Sequence, residues 1–131
     1  MNIDHRSYNI LVVEDDKKIC DLIKVLLKVG TQDIQAVLAN DATQALFKLE
    51  NQDFDLLLID QNLPGKTGVD FVRQLRKMMK HASVKVVLMS AVLSKDDVQS
   101  ALSVGIEDII VKPFTFQQLM GKIRPYLKKK F

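Results

Sequence analysis

The acidic residues that are the best candidates for a chemical role directly follow short apolar runs. Asp60 comes after residues 56–59, and Glu14 and Asp15 come after residues 10–13. Apolar runs of this length, bounded by turn signals, are typical of buried strands. In an open parallel sheet the ligand crevice lies outside the carboxyl ends of the strands, so these carboxylates are predicted to face a site. Taken alone, Asp60 fits a role as a helix cap or turn residue about equally well.

A hydroxyl and an ammonium group occupy the same kind of position farther along the chain. Ser90 follows the strand predicted over residues 84–89, and Lys112 follows the one predicted over residues 109–111. Taken singly, Ser90 is explained as a turn residue at a strand end and Lys112 as a solvated lysine. The functional interpretation rests on their placement, together with the acids, at four strand ends.

Three carboxylates at one crevice repel one another, and a hard divalent cation bound by oxygen is the usual remedy. Mg²⁺ is the natural candidate, because it binds one or two carboxylates together with phosphate oxygens. Asp60 would then be free to act as a nucleophile toward a metal-bound phosphoryl group. Ser90 could donate a hydrogen bond to a phosphoryl oxygen, and the Lys112 ammonium could balance its charge.

Hydrophobic periodicity predicts five strands that alternate with five helices. This alternation implies a parallel sheet with right-handed crossovers and helices on both faces. The expected fold class is α/β, a doubly wound, flavodoxin-like (βα)5 sheet of five strands in the order 2-1-3-4-5. Strands 1 and 3 are then neighbours, so Glu14, Asp15 and Asp60 would converge. The second strand, which includes the polar Gln35, is predicted at an edge.

Local signals predict where the helices begin and end. Asp16 is expected to cap the first helix, and Asn40 or Asp41 the second. Gly105 is expected to close the fourth helix, and Pro125 to disturb the last one about two turns in. The third helix is expected to bury a stripe of four apolar residues, which are Val69, Val72, Leu75 and Met79.

Composition describes one soluble globular domain, expected over residues 1–131 with its core at about 8–128. Of the residues, 47% are hydrophobic and 27% charged, with no apolar run of membrane-spanning length. No secretory signal is present at the N-terminus, so a cytoplasmic location is expected. The net charge of +3 lies mostly on the helical segments 73–85 and 122–130. Solvated helix faces explain it better than direct nucleic-acid binding, and no membrane partner is expected.

The single Cys20 lies in an apolar helical pattern, which favours a packed thiol over a reactive one. The two histidines, His5 and His81, do not have ligand-like spacing, which argues against a zinc site.

The motifs at the strand ends are specific when taken together. They are Val12-Val13-Glu14-Asp15-Asp16, Asp60 with Asn62-Leu63-Pro64-Gly65 and Gly68, Ser90-Ala91, and Val111-Lys112-Pro113-Phe114. They resemble the receiver domain of two-component response regulators over nearly the whole chain. The resemblance implies a phosphoacceptor signalling domain that is phosphorylated by a sensor histidine kinase or a histidine phosphotransfer protein. It also implies a downstream protein target and no enzymatic activity beyond transfer to its own aspartate and slow self-dephosphorylation.

The resemblance implies a role for each acidic residue of the site. Asp60 corresponds to the phosphoacceptor, and Glu14 and Asp15 to the acidic pair that serves Mg²⁺. Asn62 corresponds to the residue that lends a backbone carbonyl to the metal. Because no output domain follows the last helix in the sequence, the chain is either a stand-alone receiver or one cut from a longer regulator, and the lack of a visible purification tag favours the stand-alone form.

Ser90 and Lys112 are similar to the hydroxyl and lysine that contact the phosphoryl group in the family. The resemblance also implies a cis bond between Lys112 and Pro113, which aims the lysine into the crevice. Many members carry Tyr or Phe three residues before the lysine, where this chain has Ile109. An isoleucine is short and stiff at χ1, so a switch by rotation of an aromatic ring is not expected here.

Three other classes fit the residues less well. An aspartyl-phosphate hydrolase would need a second acid two residues after the nucleophile, where this chain has Asn62. A nucleotide-binding protein would need a glycine-rich loop after the first strand, where acidic residues would repel phosphate without a metal. The serious alternative is a receiver-fold interaction module that is never phosphorylated, and the intact acidic, hydroxyl and lysine positions argue against it.

Overall fold

The computed structural model describes residues 7–30, 33–92 and 94–127, and its centre is a five-stranded parallel sheet. The strands are β1 Tyr8–Val13, β2 Ile34–Ala39, β3 Leu56–Asp60, β4 Val86–Ser90 and β5 Asp108–Val111. Their order is β2-β1-β3-β4-β5, and each neighbouring pair is parallel. The expected fold class and strand order are therefore confirmed, with β2 at an edge.

A helix follows each strand of the sheet. The helices are α1 Lys17–Gly30, α2 Ala42–Asn51, α3 Gly68–Arg76, α4 Lys95–Ser103 and α5 Phe116–Ile123. Side chains that accept backbone hydrogen bonds fix where the first two begin: Asp16 accepts from the Lys18 N–H at 2.9 Å, and Asp41 from the Gln44 N–H at 2.8 Å. The expected caps are confirmed, with Asp41 rather than Asn40 in the second helix.

The end of each of the last two helices also agrees with its sequence signal. Gly105 follows α4 with φ +74°, a left-handed conformation that favours glycine. After α5 the chain forms a 3₁₀ turn, Arg124–Tyr126, that contains Pro125. The single domain over residues 1–131 stays a prediction, and its expected core limit at residue 128 lies outside the described residues.

The sheet is buried on both faces because helices cover each side. Successive strand residues point to opposite faces, so Leu57 and Ile59 join an apolar cluster with side chains of α2, α3 and α4. Leu56 and Leu58 join a second cluster with side chains of α1 and α5. All five residues of β3 are buried, which makes it the centre of the core.

Cys20 belongs to the cluster beneath α1 and is fully buried. Burial raises the pKa of its thiol to about 11. The thiol therefore stays protonated near neutral pH, as expected for a packed cysteine. Within the described ranges, no helix has the length and apolar character needed to cross a membrane.

The chain between β3 and α3 forms a small antiparallel hairpin, Asn62–Leu63 with Lys66–Thr67, that the sequence analysis predicted only as a turn. Gly65 stands in it at φ +74°. The first residue of α3, Gly68, lies against the end of β3. A Cβ at this position would come within 2.6 Å of the Asp60 carbonyl oxygen. Glycine thus lets α3 begin directly beside the strand end that carries Asp60.

The prediction that Met79 extends the buried stripe of α3 is wrong. The helix ends earlier, where the Lys77 N–H donates to the Gln74 carbonyl and tightens the last turn. Met79 begins a separate 3₁₀ turn and is 97% exposed, whereas Leu75 is fully buried. The stripe therefore ends with Leu75.

Alanine substitutions at these two positions should differ sharply in their effect on stability. Leu75→Ala removes buried methyl groups and should lower the free energy of unfolding by about 2–5 kcal/mol. Met79→Ala, which changes a solvated side chain, should alter it by less than about 0.5 kcal/mol. Urea unfolding of both variants measures the difference, and equal losses would show that the third helix continues through Met79.

Candidate functional site

Three carboxylates meet at the carboxyl ends of β1 and β3. Asp60 is the last residue of β3, and Glu14 directly follows β1, which pairs with β3. Asp60 and Glu14 are buried, with 3% and 1% of their surface exposed, and Asp15 is exposed at the rim. One oxygen from each of the three carboxylates lies within 4.8 Å of the others. The predicted convergence of these residues is thus present in the structure.

The Lys112 ammonium lies between the two buried carboxylates. Its Nζ donates to Glu14 Oε1 at 2.8 Å and to Asp60 Oδ1 at 2.9 Å. Lys112 directly follows β5, and its backbone N–H donates to the Ser90 carbonyl at 2.8 Å. The peptide bond between Lys112 and Pro113 is cis, which confirms the expectation from the resemblance. A single cation therefore contacts both buried acids.

Backbone N–H groups hold the second oxygen of each buried carboxylate. Asp60 Oδ2 accepts from the Asn62 N–H at 3.1 Å, and Glu14 Oε2 accepts from the Asp16 N–H at 3.2 Å. Each carboxylate is thereby fixed at both oxygens, one by the ammonium and one by the main chain. The metal contact expected of the Asn62 carbonyl stays a prediction, since the recorded contact of this residue with Asp60 is through its N–H.

The pKa values of Glu14 and Lys112 are both raised. A raised pKa favours the neutral form of the acid and the charged form of the amine. Burial is the main cause that raises the pKa of Glu14, and the nearby Asp60 adds to it, while the hydrogen bond from Lys112 opposes it. Burial, the largest single influence on Lys112, favours the neutral amine. The hydrogen bonds and charges of Glu14 and Asp60 outweigh it and raise the pKa of Lys112. The Lys112 amine is therefore cationic, and its single positive charge faces two buried carboxyl groups.

Ser90 lies at the end of β4, buried to 4% exposure, but its hydroxyl does not contact the acids. The Oγ donates instead to the Val92 carbonyl at 2.6 Å. Ile109, the residue that replaces the aromatic of many family members, is half-buried and packs against the cluster beneath α2, α3 and α4. The structure therefore places Ser90 at the expected strand end with its hydroxyl turned toward the segment before α4.

Sequence reasoning missed one structurally important cation. The basic segment 73–85 was interpreted as a solvated face, but the Arg76 side chain is only 18% exposed. Its guanidinium donates to the Val84 and Val104 carbonyls at 2.6 and 2.9 Å. No pattern in the sequence separates Arg76 from its basic neighbours, because both partners are backbone carbonyls, and Val104 lies 28 residues away.

With this geometry in hand, the chain can be placed in a family. The family model of the response regulator receiver domain matches residues 10–124. The chain therefore belongs to the response regulator receiver domains, which are signalling domains of two-component systems and not classical enzymes. The sequence-based identification of the family is confirmed.

Curated relatives agree with this assignment. The chain is 34% identical to the chemotaxis protein CheY of Pseudomonas aeruginosa over 121 residues, which cover 92% of this chain and 96% of that protein. It is 31% identical to the sensory transduction protein RegX3 of Mycolicibacterium smegmatis over 121 residues, or 92% of this chain and 51% of RegX3. The chain thus spans nearly all of CheY but about half the length of RegX3.

Solved structures show the same fold. The chemotaxis response regulator CheY4 of Vibrio cholerae superimposes with a TM-score of 0.84 at 25% identity, covering 92% of this chain and 99% of that one. The receiver domain of the Francisella response regulator 1452 gives a TM-score of 0.80 at 29% identity, covering 92% and 96%. The five-stranded fold described above is therefore that of known receiver domains.

Removing the ammonium should destabilise the metal-free protein through the two buried acids. Lys112→Met leaves Glu14 and Asp60 without their cation, and the free energy of unfolding at pH 7 should fall by about 3–5 kcal/mol. Lys122→Met is the control, because it breaks a partly exposed pair with Asp108 and should cost less than about 1 kcal/mol. Chemical unfolding in a chelating buffer measures both variants.

The pH dependence of the Lys112→Met deficit provides a second check. A raised acid pKa means that the folded protein takes up a proton on Glu14 more readily than the unfolded chain does. Protonation of Glu14 therefore contributes to the free energy of unfolding. This contribution is present below the ordinary pKa of 4.5 and is lost as the pH rises through the raised pKa of Glu14 in the folded protein. The loss of unfolding free energy in Lys112→Met should therefore become smaller as the pH falls from 7, because a protonated Glu14 no longer needs a cation. A deficit that is independent of pH would contradict the assignment of Lys112 as the counter-charge.

Proposed function

We propose that this chain is a phosphorylation-controlled switch in which Asp60 accepts a phosphoryl group from a phosphohistidine. The donor is a sensor histidine kinase or a histidine phosphotransfer protein, and the phosphorylated form binds a downstream protein differently. The observation that carries the proposal is the Lys112 ammonium held between Asp60 and Glu14 beside the carboxylate of Asp15. Membership of the receiver family supports it independently.

The transfer is a nucleophilic substitution at phosphorus. A carboxylate oxygen of Asp60 forms the new O–P bond, while the P–N bond to the donor imidazole breaks and its electron pair stays on the imidazole nitrogen. Lys112 contacts one oxygen of Asp60 and the Asn62 N–H contacts the other, so the nucleophile is oriented before the donor arrives. Lys112 also balances charge on the incoming phosphoryl group.

The donor set fits a hard divalent cation, and Mg²⁺ is the proposed one. Two buried carboxylates and one exposed carboxylate bring more negative charge together than one lysine offsets. When bound, Mg²⁺ would reduce the repulsion between these carboxylates and the phosphoryl oxygens. The proposed ligands are Asp15, Asp60 and the Asn62 carbonyl, with Glu14 acting through water.

Ser90 is proposed to connect the phosphoryl group with the segment after β4 and with α4. A hydroxyl has one proton to donate, and Ser90 gives it to the Val92 carbonyl in this structure. Donation to a phosphoryl oxygen therefore requires that this bond is broken and that the segment after β4 is released. Ile109 offers few rotamers to respond with, so the change is carried by that segment and α4.

Several broader features belong to the same proposal. The chain acts as one receiver domain in the cytoplasm and turns over no external substrate. Its only chemistry is transfer to its own Asp60 and slow hydrolysis of the product, because Asn62 cannot serve as a general base. Partners are proteins, and neither nucleic acid nor membrane binds directly to this domain. A receiver that is never phosphorylated is the competing proposal, and the next experiment separates the two.

Asp60→Asn should abolish phosphorylation. Wild-type protein incubated with Mg²⁺ and a small acyl-phosphate donor should gain one phosphoryl group by intact-protein mass spectrometry, and the variant should gain none. Asp53→Asn is the matched control, since this exposed aspartate precedes the opposite end of β3, and it should be phosphorylated at the wild-type rate. Phosphate gain by Asp60→Asn at the wild-type rate would show that another residue is the acceptor, and no gain by wild type would favour the competing proposal.

Millimolar Mg²⁺ should raise the melting temperature of the wild-type protein, because a ligand that binds only the folded state stabilises it. Asp15→Asn should lose most of this shift, since it removes one anionic ligand. Asp16→Asn should keep the shift, since Asp16 caps α1 through its side chain. Calorimetric melts with and without Mg²⁺ provide the comparison, and an unshifted wild-type melt would count against a metal site.

A further inference from the structure

The helix α4 is packed very unequally along its length. Residues 95 and 96 in its first turn are exposed and residues 97 and 98 are half-buried, whereas its one buried residue is Ala101, near the carboxyl end. Val104 and Ile106, which follow the helix, are also buried. The apolar contacts of this part of the chain are therefore concentrated at the carboxyl end of α4.

A single guanidinium fastens that carboxyl end to the rest of the domain. Arg76, the last residue of α3, donates from Nε to the Val104 carbonyl at 2.9 Å and from Nη2 to the Gly105 carbonyl at 3.0 Å. Its Nη1 donates to the Val84 carbonyl, just before β4, at 2.6 Å. Hydrogen bonds from a charged donor belong to the stronger class. One side chain thus joins α3, the start of β4 and the end of α4.

Glu107 holds the guanidinium from the other side. Its Oε1 lies 3.8 Å from Arg76 Nη2 and accepts from the Val86 N–H at 2.7 Å. The Glu107 N–H in turn donates to the Val86 carbonyl at 2.9 Å. A fourth, longer bond joins Nη1 to the Ala82 carbonyl at 3.5 Å. Because the carboxylate is itself fixed to β4, the planar guanidinium is oriented by a carboxylate as well as by these carbonyls.

The amino end of α4 has a different kind of contact. Ser94 caps the helix by accepting from the Asp97 N–H at 3.0 Å, and its carbonyl accepts from the Val98 N–H at 3.1 Å. Both bonds lie within the first turn of the helix. They keep that turn helical but do not fasten it to another element of the domain.

We propose that Arg76 makes α4 a pivoting helix, with residues 101–106 fixed to α3 and β4 and residues 95–98 free to move. Arg76 is then a positioning residue that sets the axis of the movement. A displacement that begins near Ser90, at the end of β4, would be largest in the first turn of α4 and would vanish at Gly105. The direction of this displacement rests on the proposed function, whereas the fixation of the carboxyl end by Arg76 does not.

The fixation is tested without any phosphoryl donor, by amide hydrogen exchange followed by NMR. Val104, Gly105 and Ile106 donate their N–H groups to carbonyls in the last turn of α4. In Arg76→Met these amides should exchange at least about tenfold faster than in wild type, because the side chain that holds this turn is lost. Arg76→Lys should show an intermediate increase, since a single ammonium cannot reach all of these carbonyls at once.

Arg73→Met is the matched control, because this exposed guanidinium of α3 pairs with Asp70 on its own helix. It should leave exchange at residues 104–106 unchanged. Unchanged exchange in Arg76→Met, or an equal increase over the whole chain, would overturn the proposed fixation. If Arg76→Met does not fold, Arg76→Lys is compared with the control in the same way.

The pivot is tested by adding beryllofluoride and Mg²⁺ as a stable phosphoryl mimic. In wild type, exchange at Asp97 and Val98 should change several-fold more than exchange at residues 104–106. In Arg76→Lys the change should extend to residues 104–106, and an equal change at both ends in wild type would refute the pivot. If no amide near Asp60 responds to the mimic, the proposed function fails, and the donor-free comparison alone decides whether Arg76 fixes the helix end.

Discussion

The domain depends on a balance between two buried acids and one ammonium. Asp60 and Glu14 are almost entirely removed from water, so each would pay a large desolvation penalty if it were ionised alone. The Lys112 ammonium lies within 3 Å of both carboxylates and offsets part of that penalty. The balance leaves net negative charge at the mouth of the crevice. This excess negative charge limits stability there, and it suits the crevice to a metal ion, which would in turn offset the charge of a phosphoryl group.

Sheet order explains why these particular residue types carry the balance. β1 and β3 are neighbours, so the short side chains of Glu14 and Asp60 are long enough to approach one another. β5 lies two strands from β3, and neighbouring strands are about 4.8 Å apart. A long side chain such as Lys112 is therefore needed to reach Asp60. The intervening strand β4 ends in the small Ser90, whose carbonyl accepts from the Lys112 N–H.

Sequence reasoning succeeded where a feature follows from local pattern and from general topology. The apolar runs located the strands, and the rule that sites lie at the carboxyl ends of parallel strands brought Glu14, Asp15 and Asp60 together before any coordinates were considered. It failed at Met79, because helical spacing continues in the sequence after the α3 hydrogen bonds have ended. It also missed Arg76, whose partners are brought near only by the completed fold.

The partner of the Ser90 hydroxyl has a further consequence, which concerns reversibility. Val92, which accepts this bond, is 68% exposed. If the hydroxyl turns away, water can hydrate the Val92 carbonyl, so the cost is that of exchanging one hydrogen bond, about 1 kcal/mol, and not that of burying an unpaired carbonyl. For the hydroxyl alone, two orientations that differ by so little free energy would both be populated. In the proposed switch, the loss of this one hydrogen bond would therefore oppose the change by no more than about 1 kcal/mol.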